Sequence, residues 1–233
     1  MRRFDDEDLT GAEFRECDLS RVRLVGVVMQ DAEIDGLVTN LVVNGVEVMP
    51  YVEAELDRRH PVRLLIRSDE PADLREAWRR LREDWARTTE RVRSMPENSE
   101  HHGVDGEWSM VETLRHLIFV HDSWFRRCVL GLTEPFTAMG LGPPFVMDQA
   151  KGLDPSAQPG LDEVLAVRRE RQAMVAKVID ELTPEQLAGT VTMTEAGWPQ
   201  LEEFPVEQCL SIVLNEEYQH RLYAERDLTA LES

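Results

Sequence analysis

The sequence predicts an α+β protein with two parts: a short β module over residues 1–67 and an antiparallel four-helix bundle over residues 68–233. Three observations support this fold class. Apolar residues near the N-terminus recur every five positions, the spacing becomes helical after Ser68, and helix-capping signals stand at Ser68 and Ser109. With 233 residues, the chain can bury a proper core without disulfides.

The β module is predicted from an apolar row with a period of five, which fits neither a helix nor a simple strand. The row consists of Leu9, Phe14, Leu19, Leu24, Met29 and Ile34. From Phe4 to Asn40 the pattern resembles the pentapeptide-repeat family, whose right-handed β-helix points the central apolar residue of each pentad inward. Irregular strands with accidental spacing are the alternative. Because so short an array leaves its stacking faces uncovered, we expect it to pack on the rest of the protein or on a partner, through self-association or with another protein.

Local signals mark the next elements in order. Alternating β-branched residues flank Asn44-Gly45, the strongest short hairpin signal, and this hairpin would close the β module. Ser68 and Pro71 then offer a cap and a first-turn proline for a long helix that ends near Pro96.

Three further helices are predicted. Ser109 and Glu112 form a capping box that opens the second helix, which ends near Gly131. A long connection rich in proline and glycine crosses to a third helix over residues 161–182, and a hairpin or extended loop precedes a last helix that starts at Pro205. Four long helices with one long crossover indicate a bundle.

Three polar side chains on these helices suggest a metal site. Glu216 and His220 lie one turn apart and share a helix face, and His116 on the second helix could complete the set. Two imidazoles and one carboxylate around an open position are typical of catalytic metal centres. Alternatively, His116 is a core histidine and the glutamates are solvated. Glu217 is the alternative carboxylate ligand, whereas His121 lies roughly 140° around the helix from His116 and points elsewhere.

Two motifs carry a family resemblance that extends over residues 68–232. Trp108-Ser-x-x-Glu-x-Leu-x-His116-Leu, together with Asn215-Glu-Glu-Tyr-Gln-His220-Arg, resembles the DinB-like four-helix bundle superfamily. The resemblance implies a divalent metal, zinc or nickel, held by one histidine of the second helix and a His-x-x-x-His pair on the last. Here Glu216 replaces the first histidine of that pair. Since carboxylate binds the same ions, we expect His116, Glu216 and His220 to be the metal ligands.

The same resemblance suggests a reaction class. Superfamily members include mycothiol-dependent maleylpyruvate isomerases, so we expect a metal-dependent thiol transferase or thiol-dependent isomerase acting on a small-molecule substrate, with mycothiol as the thiol cosubstrate. Two alternatives stay open. The chain could be a non-catalytic interaction or binding module with a structural or vestigial metal site, or it could be a metal-dependent hydrolase.

Composition excludes several other roles. A formal net charge of −19 opposes binding to nucleic acid or to anionic membranes. The three cysteines are odd in number and widely spaced, and no apolar segment is long enough to span a bilayer, so we expect a soluble cytoplasmic protein with free thiols. Arginine supplies all but two of the 26 basic residues, as a GC-rich genome such as an actinobacterial one tends to encode.

Overall fold

A computed structural model of the chain describes residues 4–15, 17–200 and 203–233. The backbone contacts group the chain into two units, residues 1–49 and residues 50–233. None of the helices in the described part combines the length and the apolarity that a bilayer crossing demands.

In the N-terminal unit the backbone repeats every five residues, as the sequence does. Positive φ angles recur at Asp6, Gly11, Arg21, Gly26, Asp31 and Gly36. The described residues of this stretch form no β-strand before residue 42, and the six residues of the apolar row remain 47–60% exposed. The apolar row is therefore not buried in a core within the described residues. The pentapeptide-repeat interpretation stays a prediction.

The predicted hairpin is confirmed. Strands β1 (Val42–Val43) and β2 (Val46–Glu47) pair antiparallel. Asn44 and Gly45 connect them with φ angles of 50° and 85°. Both central residues therefore adopt the left-handed conformation that a two-residue type I′ turn requires.

Two short helices follow where the sequence analysis extended the β module: α1 (Met49–Arg59) and α2 (Val62–Ile66). Helix α2 packs against later helices of the bundle, and Ile66 enters the core. Arg63 is buried and donates from Nε to Asp57 Oδ1 at 2.9 Å. Tertiary contacts of this kind stabilise a helix as short as α2. The predicted boundary after residue 67 thus lies beyond the division after residue 49.

Among the described residues, four long helical segments form the bundle. They are α3 (Pro71–Arg93), α4 (Met110–Val120) with its π-helical continuation (His121–Val129), α5 (Leu161–Glu181) and α7 (Val206–Leu231). Between α5 and α7 lie α6 (Pro184–Leu187) and a hairpin of β3 (Thr190–Thr192) and β4 (Glu203–Pro205). Short 3₁₀ turns occupy Ser99–His101 and Pro144–Val146.

The predicted caps are confirmed at one helix and corrected at another. Ser109 and Glu112 form both hydrogen bonds of the capping box at α4. At α3, however, Glu70 occupies the cap position and Pro71 the first turn. The Ser68 hydroxyl donates instead to Asp73 Oδ2 at 2.6 Å.

The bundle is not antiparallel throughout, which corrects the sequence prediction. Helix α7 runs parallel to α3 and antiparallel to α4, and α5 runs antiparallel to α3, so α4 and α5 share a direction. For α3 and α7, the contacts are Trp85 with Glu217 and Arg91 with Glu232. For α3 and α5, they are Arg75 with Leu182 and Arg93 with Asp162. For α4 with its continuation and α7, they are His116 with His220 and Cys128 with Cys209. The long crossover allows α5 to restart at the same end of the bundle as α4.

Helix α4 lies at the centre of the bundle. Leu114, Leu117 and Ile118 have no exposed surface. Complete burial of such side chains stabilises the fold by about 1.5–3 kcal/mol each. His116, on the same helix, is therefore held on a rigid element.

Candidate metal centre

Three predicted ligands come together where α4 crosses α7. His116, Glu216 and His220 each offer one ligand atom, and these atoms lie within 4.8 Å of one another. Glu216 Oε2 is 3.5 Å from His116 Nε2 and 3.1 Å from His220 Nε2. The antiparallel crossing brings His116 beside the helix face that the other two residues share.

A hydrogen bond to the backbone sets the orientation of His116. Its Nδ1 lies 3.2 Å from the carbonyl oxygen of Leu141, in the crossover between α4 and α5. Because a carbonyl only accepts, Nδ1 carries the hydrogen, and in the neutral ring Nε2 then has the lone pair. Metal-binding histidines commonly have this arrangement, with the distal nitrogen bonded to a carbonyl or carboxylate.

The facing atoms of His116 and Glu216 require a cation. With Nδ1–H committed to Leu141, the Nε2 lone pair faces a carboxylate oxygen at 3.5 Å. Two acceptors at this distance are compatible only when a proton or a metal ion lies between them. Burial lowers the pKa of His116, against the opposing effect of its bond with Glu216, so a proton is disfavoured there. These residues fit a divalent ion.

The carboxylate of Glu216 is ionised at neutral pH. Burial alone would raise its pKa, but the interactions with the two imidazoles outweigh burial and lower the pKa of Glu216 to about 2. The site therefore offers one anionic oxygen and, at His116, a neutral imidazole.

One side of the cluster is open. The His116 side chain is 8% exposed, while those of Glu216 and His220 are 33% and 16% exposed. The Trp108 ring lies 4.7 Å from the His116 ring and stacks at 6.1 Å on that of His220, and Tyr223 meets His220 edge-on at 5.8 Å. Solvent or a ligand can thus reach the ligand atoms beside an aromatic wall.

Glu217, the alternative ligand, points away from the cluster. Its fully buried carboxylate accepts from Arg168 Nη2 at 2.8 and 3.1 Å and lies 2.8 Å from His121 Nε2. His121 also lies apart from the candidate ligands, as expected. Glu112 is engaged in the α4 capping box with Ser109.

Sequence reasoning missed the crossover segment that supports His116. Leu141 both accepts from His116 and donates its N–H to the Arg115 carbonyl at 3.1 Å. A Cβ on Gly142 would lie 3.2 Å from the Phe119 ring of α4, and one on Gly140 would lie 3.5 Å from the Phe119 Cα, with crossover side chains at 2.8 and 2.7 Å as well. Glycine on both sides of Leu141 therefore permits the close approach to α4, and this glycine pair is the sequence signal that could have indicated it.

Comparison with known proteins places the bundle in a family. The DinB superfamily, whose members are often metal-binding enzymes, matches residues 80–224, a span that contains all three candidate ligands. No curated protein and no solved structure gave a significant match to the chain. With well over half of its length matched, the chain belongs to the DinB superfamily.

Proposed function

We propose that this chain is a divalent-metal-dependent enzyme that acts on a small-molecule thiol, as a thiol transferase or a thiol-dependent isomerase. His116, Glu216 and His220 would hold zinc or nickel. The observation that carries the proposal is the pair of facing acceptors on His116 and Glu216, which needs a cation between them. When bound, such an ion supplies a Lewis-acid position that lowers the pKa of a coordinated thiol.

The residues of the chain would prepare the open position. Leu141 fixes the His116 ring, so the direction of Nε2 is set before any ligand arrives. Trp108 and Tyr223 border the cluster with rigid aromatic surface that limits water and orients an organic substrate. Mycothiol is the thiol that the resemblance to mycothiol-dependent isomerases suggests.

The resemblance to mycothiol-dependent isomerases favours a thiol over water as the activated group. A metal-dependent hydrolase would need a carboxylate or another base near the ion to take the proton from water. Hydrolysis is therefore the weaker alternative.

The proposal can be tested with the full chain purified without a polyhistidine tag. Elemental analysis should find zinc or nickel near one equivalent per chain in the parent and in His102→Ala, whose imidazole is exposed. His116→Ala and His220→Ala should lose most of the metal. Equal metal content in all four proteins would refute the site.

Thiol activation needs a separate measurement. In the cobalt-substituted chain, addition of mycothiol should produce a sulfur-to-cobalt charge-transfer band, and conjugation of the thiol to an electrophile should depend on metal. Metal binding without either response would support the non-catalytic alternative. Metal-dependent ester or amide hydrolysis without a thiol response would support the hydrolase.

A further inference from the structure

Two buried cysteines meet away from the candidate metal centre. Cys128, in the π-helical segment, is 1% exposed, and Cys209, near the start of α7, is 0% exposed. Both are free thiols, and both belong to one small buried cluster with Phe204. The two thiols are hydrogen-bonded to each other.

We propose that Cys128 and Cys209 form an oxidisable dithiol that closes an intramolecular disulfide when hydrogen peroxide is the oxidant. The pair brings together the π-helical continuation of α4 and the first turns of α7, and these two helices carry the candidate metal ligands. Cys17, by contrast, lies exposed in the N-terminal unit.

The environment of each thiol sets the order of the reaction. The Cys209 thiol lowers the pKa of Cys128 most strongly, Arg127 lowers it further, and burial opposes them. The pKa of Cys209 is raised by the Cys128 thiol and by burial. Cys128 is therefore the sulfur that reacts first with peroxide.

The chemistry balances with peroxide alone. The Cys128 thiolate attacks one peroxide oxygen, the O–O bond breaks, and sulfenic acid and hydroxide form. The Cys209 sulfur then attacks the Cys128 sulfur and displaces the hydroxyl group, which leaves as water with the Cys209 proton. The two thiols lose two electrons and two protons, and peroxide becomes two molecules of water.

Local opening of the β3–β4 hairpin would give hydrogen peroxide access to the buried thiols. Val191 of β3 and Phe204 of β4 pack at the thiol cluster, and each of these strands has only three residues. Two-stranded hairpins are marginally stable by themselves, and such elements open locally at low free-energy cost. Local opening of the β3–β4 hairpin can therefore expose the pair without global unfolding.

The bond would tie together the helices that carry the metal ligands. Cys209 precedes Glu216 by two turns on nearly the same face of α7. Cys128 lies in the continuation of α4, which carries His116. Oxidation would thus create a covalent link across the same helix pair that forms the candidate metal centre.

The experiment uses the full chain with Cys17→Ser, so that only the two buried cysteines can react. After mild treatment with hydrogen peroxide and removal of the excess, the number of thiols titrated under denaturing conditions should fall from two to zero. The intact mass should fall by two hydrogen atoms, dithiothreitol should reverse both changes, and peptide mapping should recover Cys128 joined to Cys209. Helical circular dichroism should persist, and the urea midpoint of unfolding should rise.

Variants that lack one of the two buried cysteines test whether the disulfide joins Cys128 to Cys209. Adding Cys128→Ser or Cys209→Ser should abolish the loss of two hydrogens while leaving one thiol open to oxygen addition. Separate oxygen addition to both cysteines of the Cys17→Ser chain, disulfides only between chains, or two unreacted thiols would each overturn the proposal. If Cys17→Ser fails to fold, peptide mapping of the oxidised parent chain gives the same decision, since Cys17 is followed on its own peptide.

Discussion

Nδ1 of His116 lies 3.2 Å from the carbonyl oxygen of Leu141. This contact joins the crossover to the helix that carries the first candidate ligand. It also commits the imidazole to one tautomer, so Nε2 presents a lone pair to Glu216. The orientation of the donor atom is therefore built into the fold before a metal binds.

The tautomer can be measured directly. Long-range ¹H–¹⁵N spectra should show the Nδ1 proton of His116 with and without zinc. With zinc bound, Nε2 of His116 should carry no proton and its resonance should shift, while exposed His102 should not respond. A proton that stays on Nε2 of His116 in the zinc-loaded chain, or a zinc response confined to other histidines, would contradict the proposed ligand set.

The glycines beside Leu141 are not metal ligands, but substitutions there should change metal affinity. In Gly142→Ala the new methyl group would meet Val146 Cγ2 at 2.8 Å and the Phe119 ring at 3.2 Å, which pushes the segment away from α4. Loss of a partner that orients a ligand typically weakens metal binding about 10- to 100-fold. Competition with a chromophoric chelator measures this change.

Gly160→Ala is the matched control. Gly160 has a φ of −72°, and its Cβ would have only an ordinary contact of 3.7 Å with Glu163. Metal affinity should therefore stay at the parental value. A folded Gly142→Ala chain with parental affinity would show that the Leu141 contact is not needed to orient His116.

Features encoded locally could be predicted from the sequence. The capping box of Ser109 with Glu112, the turn at Asn44-Gly45 and the helical spacing of α5 depend on neighbouring residues, and the structure contains all three. The shared face of Glu216 and His220 likewise follows from one helical turn.

Features that depend on distant contacts were missed or left open. Helix α1 buries none of its residues and α2 has only five residues, so neither shows a clear apolar period, and helix directions depend on the path of the crossover. The pairing of Glu217 with Arg168 of α5 is such a distant contact, and it distinguishes Glu217 from Glu216, which lies beside the two histidines. A backbone carbonyl such as that of Leu141 carries no side-chain signature at all.

Replacement of Glu217 by glutamine should destabilise the fold in a pH-dependent manner. Burial raises the pKa of Glu217, but Arg168 and His121 outweigh it and lower the pKa from its ordinary 4.5 to about 2. A carboxylate with a depressed folded-state pKa stabilises fully above the unfolded value and loses this effect as pH falls. The loss should amount to about 3 kcal/mol at pH 7 and shrink between pH 4.5 and 2.

Urea unfolding at a series of pH values gives this difference between the parent and Glu217→Gln. Exposed Glu207 on the same helix provides the control, and Glu207→Gln should change stability by less than about 0.5 kcal/mol. A Glu217→Gln deficit that stays constant from pH 7 to pH 3 would mean that the charge of Glu217 beside Arg168 and His121 does not stabilise the fold.

Metal affinity should fall on acidification, with a pH range set by His116. Binding requires a neutral imidazole, so protons compete with the metal below the pKa of each histidine ligand. Burial lowers the pKa of His116 from its ordinary 6.5, which moves its competition to more acidic pH. Glu216, with a pKa of about 2, stays ionised throughout.

Zinc affinity measured by competition should decrease below pH 6.5 in the parent and equally in His102→Ala. Affinity that is constant down to pH 4 would exclude imidazole ligands, because no proton would then be competing with the metal.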